Sequence, residues 1–280
     1  MLSERAPRPH RARARRAGAG LTPLAVPVAA VAAGAAALLA WRTRSLTSGG
    51  ALAAWAIGAA VLAGTGWAGG AVLAAFFVSS SGLGRLAPEP AGLDPKGERR
   101  DARQVGANGG PAALGALLGL HDPSLGLWIL TGSLAAAAAD TWATSIGGWS
   151  RTLPRRLLVG VEVARGTSGG MTIAGTLGAA AGALLVAATG AAGGGAAVLL
   201  PVGTLIGFAG MVADSALGSG WQGRFYCPVC ERASEWPRHR CGARTVQVGG
   251  VSWLDNDGVN LAATALGAAL AGAAWLCWSR

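Results

Sequence analysis

The sequence predicts an all-α, polytopic membrane helix bundle of seven or eight spans, with a cytoplasmic Cys/His loop inserted before the last span. Three observations predict it. The 280-residue chain is 52% hydrophobic and 13% charged, with a mean hydropathy of +0.44, where a soluble domain carries about 25% charge. Ala and Gly, with 46 glycines, stand where a soluble core would use Leu, Ile and Phe, and small residues let membrane helices approach closely. Apolar runs near the ~20 residues that cross a bilayer recur along the chain, and Lys and Arg gather in alternate connections between them. GC-rich coding alone would give the Ala/Gly/Arg skew, so the runs and the charge pattern carry the prediction. No internal repeat is evident.

In order, residues 1–20, with "RPHRARARR", read as a basic disordered tail. Residues 21–280 form the polytopic domain. Its runs fall at about 22–41, 49–66, 68–84, 108–120, 124–144, 169–190, 195–217 and 257–278. The second to fourth are short or broken by glycine. Arg85, Lys96, Arg99, Arg100 and Arg103 share one connection; Arg151, Arg155, Arg156 and Arg165 share the next alternate one; Arg224, Arg232, Arg238, Arg240 and Arg244 share the third. Arg42 and Arg44 precede the second run, and the connections near 66–69, 121–123 and 190–194 hold no Lys or Arg. The positive-inside rule places the charged connections in the cytoplasm. An even number of spans then puts the basic tail outside, unless the first run, with Pro23 and Pro27, does not fully cross or translation starts later. These cations mark topology, and no nucleic-acid partner is expected.

The residues that break the apolar pattern share the charged face. They are "VSSSGLGRL" (Val78 to Leu86), "RQVGANGGP" (Arg103 to Pro111), "DTWATSIGG" (Asp140 to Gly148), "RGTSGGMT" (Arg165 to Thr172), "GMVADSALG" (Gly210 to Gly218) and "DNDGVN" (Asp255 to Asn260). A carboxylate at the inner end of an apolar run is costly, which makes Asp140 and Asp214 functional candidates. Glycine-flanked helix starts at "NGGP" and "GTSGG" expose backbone N–H groups to phosphate, with Pro111 suited to a first helical turn. Asp140, Asp214, Asp255 and Asp257 suit Mg²⁺, which takes a few carboxylates together with phosphate oxygens and water. Arg85, Arg103 and Arg165 could clamp phosphate. These are the parts of phosphoryl transfer. Structural readings stand beside them: Ser79, Ser80 and Ser81 as local backbone partners, "GTSGG" as a close helix contact, "DNDGVN" as an N-cap.

The segments "SSSGLGRL", "RQVGANGGPAAL", "GSLAAAAADTWATSIG", "RGTSGGMTIAGTLGA", "ADSALG" and "DNDGVNLAA" resemble, in order, the integral-membrane family DUF92, to which transmembrane protein 19 and a plant phytyl-phosphate kinase belong. The likeness runs from Arg42 to Leu261. It implies an isoprenoid (phytyl or prenyl) monophosphate kinase that takes a nucleotide, with CTP as a candidate. In that reading Asp140, Asp214 and Asp257 are catalytic, Asp140 and Asp214 hold Mg²⁺, and Asn256 and Asn260 extend that shell. Ser80, Ser81, Arg85, Arg103, Asn108, Thr144, Gly147, Thr167, Ser168 and Gly169 bind substrate and nucleotide. Asp140, Ala143 and Gly147 also fit D-x-x-A-x-x-x-G, a spacing similar to that of CTP-using membrane enzymes, which keeps cytidylyl transfer open. A lipid or anion transporter without catalysis would explain broken helices and small residues as well; it explains less well why polar groups crowd one face. Oligomeric state is left open.

The connection over 219–254 holds "YCPVCERASEWPRHRCG". Cys227, Cys230, His239 and Cys241 can close a tetrahedral Zn²⁺ site. A disulfide is disfavoured in the reducing cytoplasm; a redox pair and plain loop cysteines are the other readings. Cys277, in the last run, reads as core packing.

Overall fold

The computed structural model describes residues 24–88, 99–194 and 196–280; the expected basic tail at 1–20 and Lys96 lie outside the described residues. The chain is mostly helical, with α1 (Val26–Arg42), α2 (Ser48–Leu86), α3 (Ala102–Leu118), α4 (Pro123–Gly148), α5 (Ile173–Gly194), α6 (Leu199–Gly220) and α7 (Asn256–Trp278). Between α4 and α5, β1 (Arg155–Arg156) pairs antiparallel with β2 (Gly170–Met171). Between α6 and α7, β3 (Arg224–Cys227) is the middle of a three-stranded antiparallel sheet with β4 (Arg232–Ser234) and β5 (Val246–Gly249). Four helices, α2, α5, α6 and α7, are long and apolar enough to cross a bilayer.

Helix α2 covers both runs expected at 49–66 and 68–84. Its 39 residues would make a rod of about 58 Å if straight. Instead its ends meet: Arg85 Nη2 donates to Thr43 O at 2.8 Å and to Ser45 Oγ at 2.6 Å, next to the helix start. The reversal is at Gly66, with φ 63° and ψ −155°, a conformation that side chains make costly. Gly70 therefore packs against Leu62. The two runs are two limbs of one hairpin with no loop between them.

Helix α3 corrects the expected start near residue 108. It begins at Ala102, because Asp101 accepts from Gln104 N (3.0 Å) while Asp101 N donates back to Gln104 Oε1 (3.4 Å), a reciprocal cap. Asn108, Gly109 and Gly110 are thus inside the helix and not at its exposed N-terminus, and Pro111 is mid-helix. A proline cannot donate to the carbonyl four residues back. Here that carbonyl is Ala107 O, and the buried Thr264 hydroxyl of α7 donates to it at 2.7 Å. A helix defect becomes a bond between helices.

The core is α4. Leu127, Trp128 and every residue from Leu130 to Ala139 are buried, as expected of a helix apolar on all sides. It packs against α2, α3, α5, α6 and α7. Small residues set the separations. On α5, Gly175, Gly178 and Gly182 lie against Ala143 O, Trp142 O and Ala138 O of α4, with added Cβ atoms falling at 2.7, 3.0 and 2.9 Å. On α7, Gly267 abuts Gly132 O at 2.5 Å in the same sense. On α6, Gly207 abuts Ala135 and Gly210 abuts Ala136; Met211 and Ala139 share a core cluster. These positions rise together along both chains, so α4 and α6 run parallel.

One end of the bundle collects the α1–α2 corner, the end of α2 and the starts of α3, α5 and α7 with the ends of α4 and α6. Arg103 of α3 reaches Asp255 before α7; Gly147 of α4 faces Thr172 and Gly175 of α5; Gly169 faces Ser215 and Ser219 of α6. The other end holds the Gly66 turn and the tight α3–α4 turn, where Gly126 lies on Gly119. A test follows from the α4–α6 contact. A Cβ at Gly210 has no room beside Ala136, so Gly210→Val should cost about 1–3 kcal/mol through overpacking. Thermal unfolding of the detergent-solubilised protein checks it, with Ala265→Val at an exposed position of α7 as the control for placing a β-branched residue in a helix.

Candidate functional site

The register of α4 and α6 decides where Asp140 and Asp214 stand. Residues four apart on a helix lie one above the other. One turn beyond the Ala136–Gly210 contact, toward the polar end, these positions are Asp140 and Asp214. Both are half-buried. On α7, Ala263 O lies by Gly210, and one turn nearer the polar end come Asn260 and then Asn256 and Asp257. Phe76 of α2 shares its cluster with Ala112 of α3 and Ala137 and Ala138 of α4; the corresponding next turn brings Ser80 and Asn108. Trp142 Nε1 donates to Ser79 Oγ at 3.3 Å, fixing α2 against α4 at this level. Ser80 is fully buried, and its hydroxyl oxygen has no hydrogen-bond partner among the described residues. Asn108 Nδ2 donates to Gln104 O at 2.9 Å, and its amide oxygen accepts no hydrogen bond among the described residues. A layer of Ser, Asn and Asp side chains thus crosses the bundle above an apolar core.

The rim is ionic. Arg103 Nη2 donates to Asp255 Oδ2 at 2.7 Å, and Arg103 Nε lies 3.9 Å from Asp257 Oδ2. Asp255 also caps α7, its Oδ1 accepting from Gly258 N at 2.9 Å. Sequence reasoning proposed Arg103 and Asp257 separately, and 3.9 Å brings them together. Arg85 is committed to Thr43 and Ser45, and Arg165 donates to Arg151 O at 3.3 Å. Ser81 is half-buried on α2, and Thr144 is exposed on α4. Ala143 and Gly147 are used in the α4–α5 seam. Thr167, Ser168 and Gly169 sit on the end of α6: Gly169, at φ +73°, leaves no room for a Cβ beside Ser219. Ser168 Oγ donates to Glu235 Oε1 at 2.8 Å, and buried Gln222 donates to the same oxygen at 3.3 Å. Gln222 and Glu235 were not singled out in sequence; the only signal was the few acids and amides of a basic connection, among them Glu231 and Gln247, which do not join this network.

Beyond α6 the chain builds a compact thiol cluster. The β3–β4 turn carries Cys227 and Cys230, with Glu231 at φ +52° closing it. A second turn, His239 to Gly242, is closed by Gly242 N donating to His239 O at 2.9 Å, with Gly242 at φ +87°. One ligand atom from each of Cys227, Cys230, His239 and Cys241 lies within 4.8 Å of all the others. Cys227 Sγ is 3.7 Å from Cys241 Sγ, and His239 Nδ1 is 3.2 Å from Cys241 Sγ. A tetrahedron with Zn–S bonds of about 2.3 Å has an S–S edge of about 3.8 Å, so the spacing fits a metal. The protons tell the same story. Burial pushes the Cys227 thiol up, but hydrogen bonds from the Cys230 and Val229 backbone and the neighbouring thiols outweigh it and lower it. Hydrogen bonding to Cys241, then burial, pushes Cys230 up to about 11.

A model of the integral membrane protein family DUF92 matches residues 31–268. The chain belongs to this family. It is 28% identical over 227 residues to Protein PGR of Arabidopsis thaliana, covering 68% of this chain and 76% of that one. It is 30% identical over 227 residues to an uncharacterized membrane protein of Synechocystis, covering 78% of each. An uncharacterized membrane protein of Methanocaldococcus jannaschii is 32% identical over 120 residues, 43% of this chain and half of that one. No solved structure matches. The family span takes in the whole polar layer, its ionic rim and the four metal-type ligands.

The cluster gives a pH test. With Cys230 at about 11, its thiol is protonated at neutral pH without metal and must lose that proton to ligate. Metal affinity should therefore rise with pH, by about one decade per unit from this thiol alone. Competition with a chromophoric chelator between pH 6.5 and 8.5 measures the slope; a flat profile would mean that Cys230 is not a ligand.

Proposed function

We propose that this protein is a membrane phosphotransferase of the isoprenoid-monophosphate kinase type. Asp140 and Asp214 hold Mg²⁺, and the donor is a nucleotide, with CTP the first candidate. The observation that carries the reading is the parallel register of α4 and α6, which sets two carboxylates at one level beside Asn260 and Ser80. Two acids with amide and hydroxyl neighbours fit a cation that also takes phosphate oxygens. When bound, such an ion neutralises the charge that develops between donor and acceptor phosphates. The chain's own part is positioning. Asp257, Asn256 and Asn260 extend the acidic shell from α7, Ser80, Ser81 and Asn108 offer hydrogen bonds to phosphate oxygens, and Arg103 holds the α7 start in place. The lipid tail lies among apolar helices while its phosphate meets the layer. The resemblance of the six motifs to a family that includes a plant phytyl-phosphate kinase supports this substrate class.

In the same proposal the bundle crosses a cell membrane eight times, counting the limbs of α2 separately, with the polar end in the cytoplasm. Residues 1–20 are a tail, 21–280 one membrane domain, and 219–254 an inserted connection. The arginines of that end support the orientation. Zn²⁺ at Cys227, Cys230, His239 and Cys241 is structural, ordering a polar connection that has little core of its own.

Asp140→Asn keeps the shape and removes the charge. With purified protein, a prenyl monophosphate and labelled nucleotides, it should lower phosphoryl transfer by about 10²–10³-fold with the fold intact; unchanged turnover ends the role. Substrate flux into proteoliposomes without nucleotide consumption would instead identify a transporter. Single cysteines near 155 and 235 should be labelled from the cytoplasmic side and those near 67 and 192 from the other; any reversal scatters the site over two faces. Purified protein should carry about one zinc per chain, lost in Cys227→Ser/Cys230→Ser.

A further inference from the structure

The arginines proposed from sequence as phosphate ligands all have structural partners, as does Arg155, which meets Glu162 at 3.2 Å. Arg156 differs. Its Nε is buried without a hydrogen-bond partner, and its side chain forms no ion pair among the described residues. A guanidinium nitrogen left unsatisfied in a buried place is costly. Its neighbour makes matters worse, because burial and then the like charge of Arg224 lower the Arg156 pKa.

Both side chains come from elements pinned to the end of α6. Arg156 pairs with Gly170 across β1–β2. Leu157 N donates to Gly169 O at 3.1 Å, and Leu158 N donates to Ser219 Oγ at 3.4 Å. Arg224 Nη1 donates to Ser219 O at 3.2 Å. Ser219 is five residues beyond Asp214, about 7.5 Å along the α6 axis. The two cations therefore flank the last turn of the helix that carries Asp214. The neutral Ser219 carbonyl orients Arg224 but does not offset its charge. Of the nearby acids, Glu162 pairs with Arg155, and Glu235 accepts from Ser168 and Gln222.

Two guanidinium groups carried by elements that meet at Ser219, near enough for their charges to act on each other, suit an anion with several oxygens, which can accept from both. We propose that Arg156 and Arg224 form a receptor for a phosphoryl group, from a nucleotide or a prenyl-phosphate headgroup, at the lip of the acidic layer. That it serves phosphoryl transfer rests on the reading above; that it binds the anion does not.

The test uses full-length protein in detergent, in magnesium-free buffer, with inorganic pyrophosphate as the probe. Binding is followed by Trp fluorescence and by the rise in melting temperature. Arg156→Gln should weaken pyrophosphate at least tenfold, with Arg156→Lys intermediate because it keeps the charge and loses the fork. Asp140→Asn should leave this magnesium-free binding intact, so loss of activity in that variant and loss of anion binding in this one report separate failures. A folded Arg156→Gln protein that binds pyrophosphate like the wild type overturns the proposal. Should the variant fail to fold, the wild type decides: pyrophosphate should protect Arg156 from phenylglyoxal, mapped by mass spectrometry, and absence of protection overturns the site. Repeating the protection with CTP and with geranyl monophosphate distinguishes the sources, since the natural anion protects at the lower concentration.

Discussion

The approach of α4 to its neighbours is close enough that backbone carbonyls face glycine Cα atoms, and the rest of the structure depends on it. Within a bilayer no hydrophobic force draws helices together, so association relies on contact area and on short-range bonds. Alanines and glycines supply the contact by letting backbones meet. The same contact fixes register. Gly207 and Gly210 admit α4 at only one height along α6, and a slip of one residue would bring Phe208 and Met211, or Ile206 and Ala209, onto Ala135 and Ala136. The height of Asp140 relative to Asp214 is thus set by residues that carry no charge.

This arrangement gives the polar layer its economy. A carboxylate is costly in an apolar bundle unless partners share the cost. Placed within a turn or two of the polar end, Asp140 and Asp214 remain within reach of amides, hydroxyls and water while still framed by packed helices. The loops above do not merely cap this end. The β1–β2 hairpin and the β3–β4–β5 sheet both dock on the last turn of α6, so the thiol cluster, the Ser168–Glu235–Gln222 network and the acidic layer hang on one helix end.

Much of this was legible in the sequence, and the parts that were not share a cause. The apolar runs located the helices, and alternating arginines singled out the end where polar motifs collect. Gly66 was read as a loop between two runs, because residue type alone does not show that a left-handed glycine can turn a helix with no loop at all. The start of α3 was misplaced because "NGGP" offers a familiar helix start, while the reciprocal Asp101–Gln104 cap begins seven residues earlier among charged neighbours. Periodicity could not reveal the Asp140–Asp214 register, which is a property of two distant segments. Nor could it separate Arg156 from Arg155: adjacent in sequence, they differ only in which one the fold gives a carboxylate.

Pro111 has a mechanical meaning. By surrendering a bond inside α3 it lets Thr264 tie α3 to α7 at mid-depth, while Arg103 ties them again at the rim. Fastened at two heights, these helices behave as a single plank. Parting them would have to break both ties at once. A bond missing inside one helix thus limits how far two helices can part, because the hydroxyl that fills the gap belongs to the neighbour.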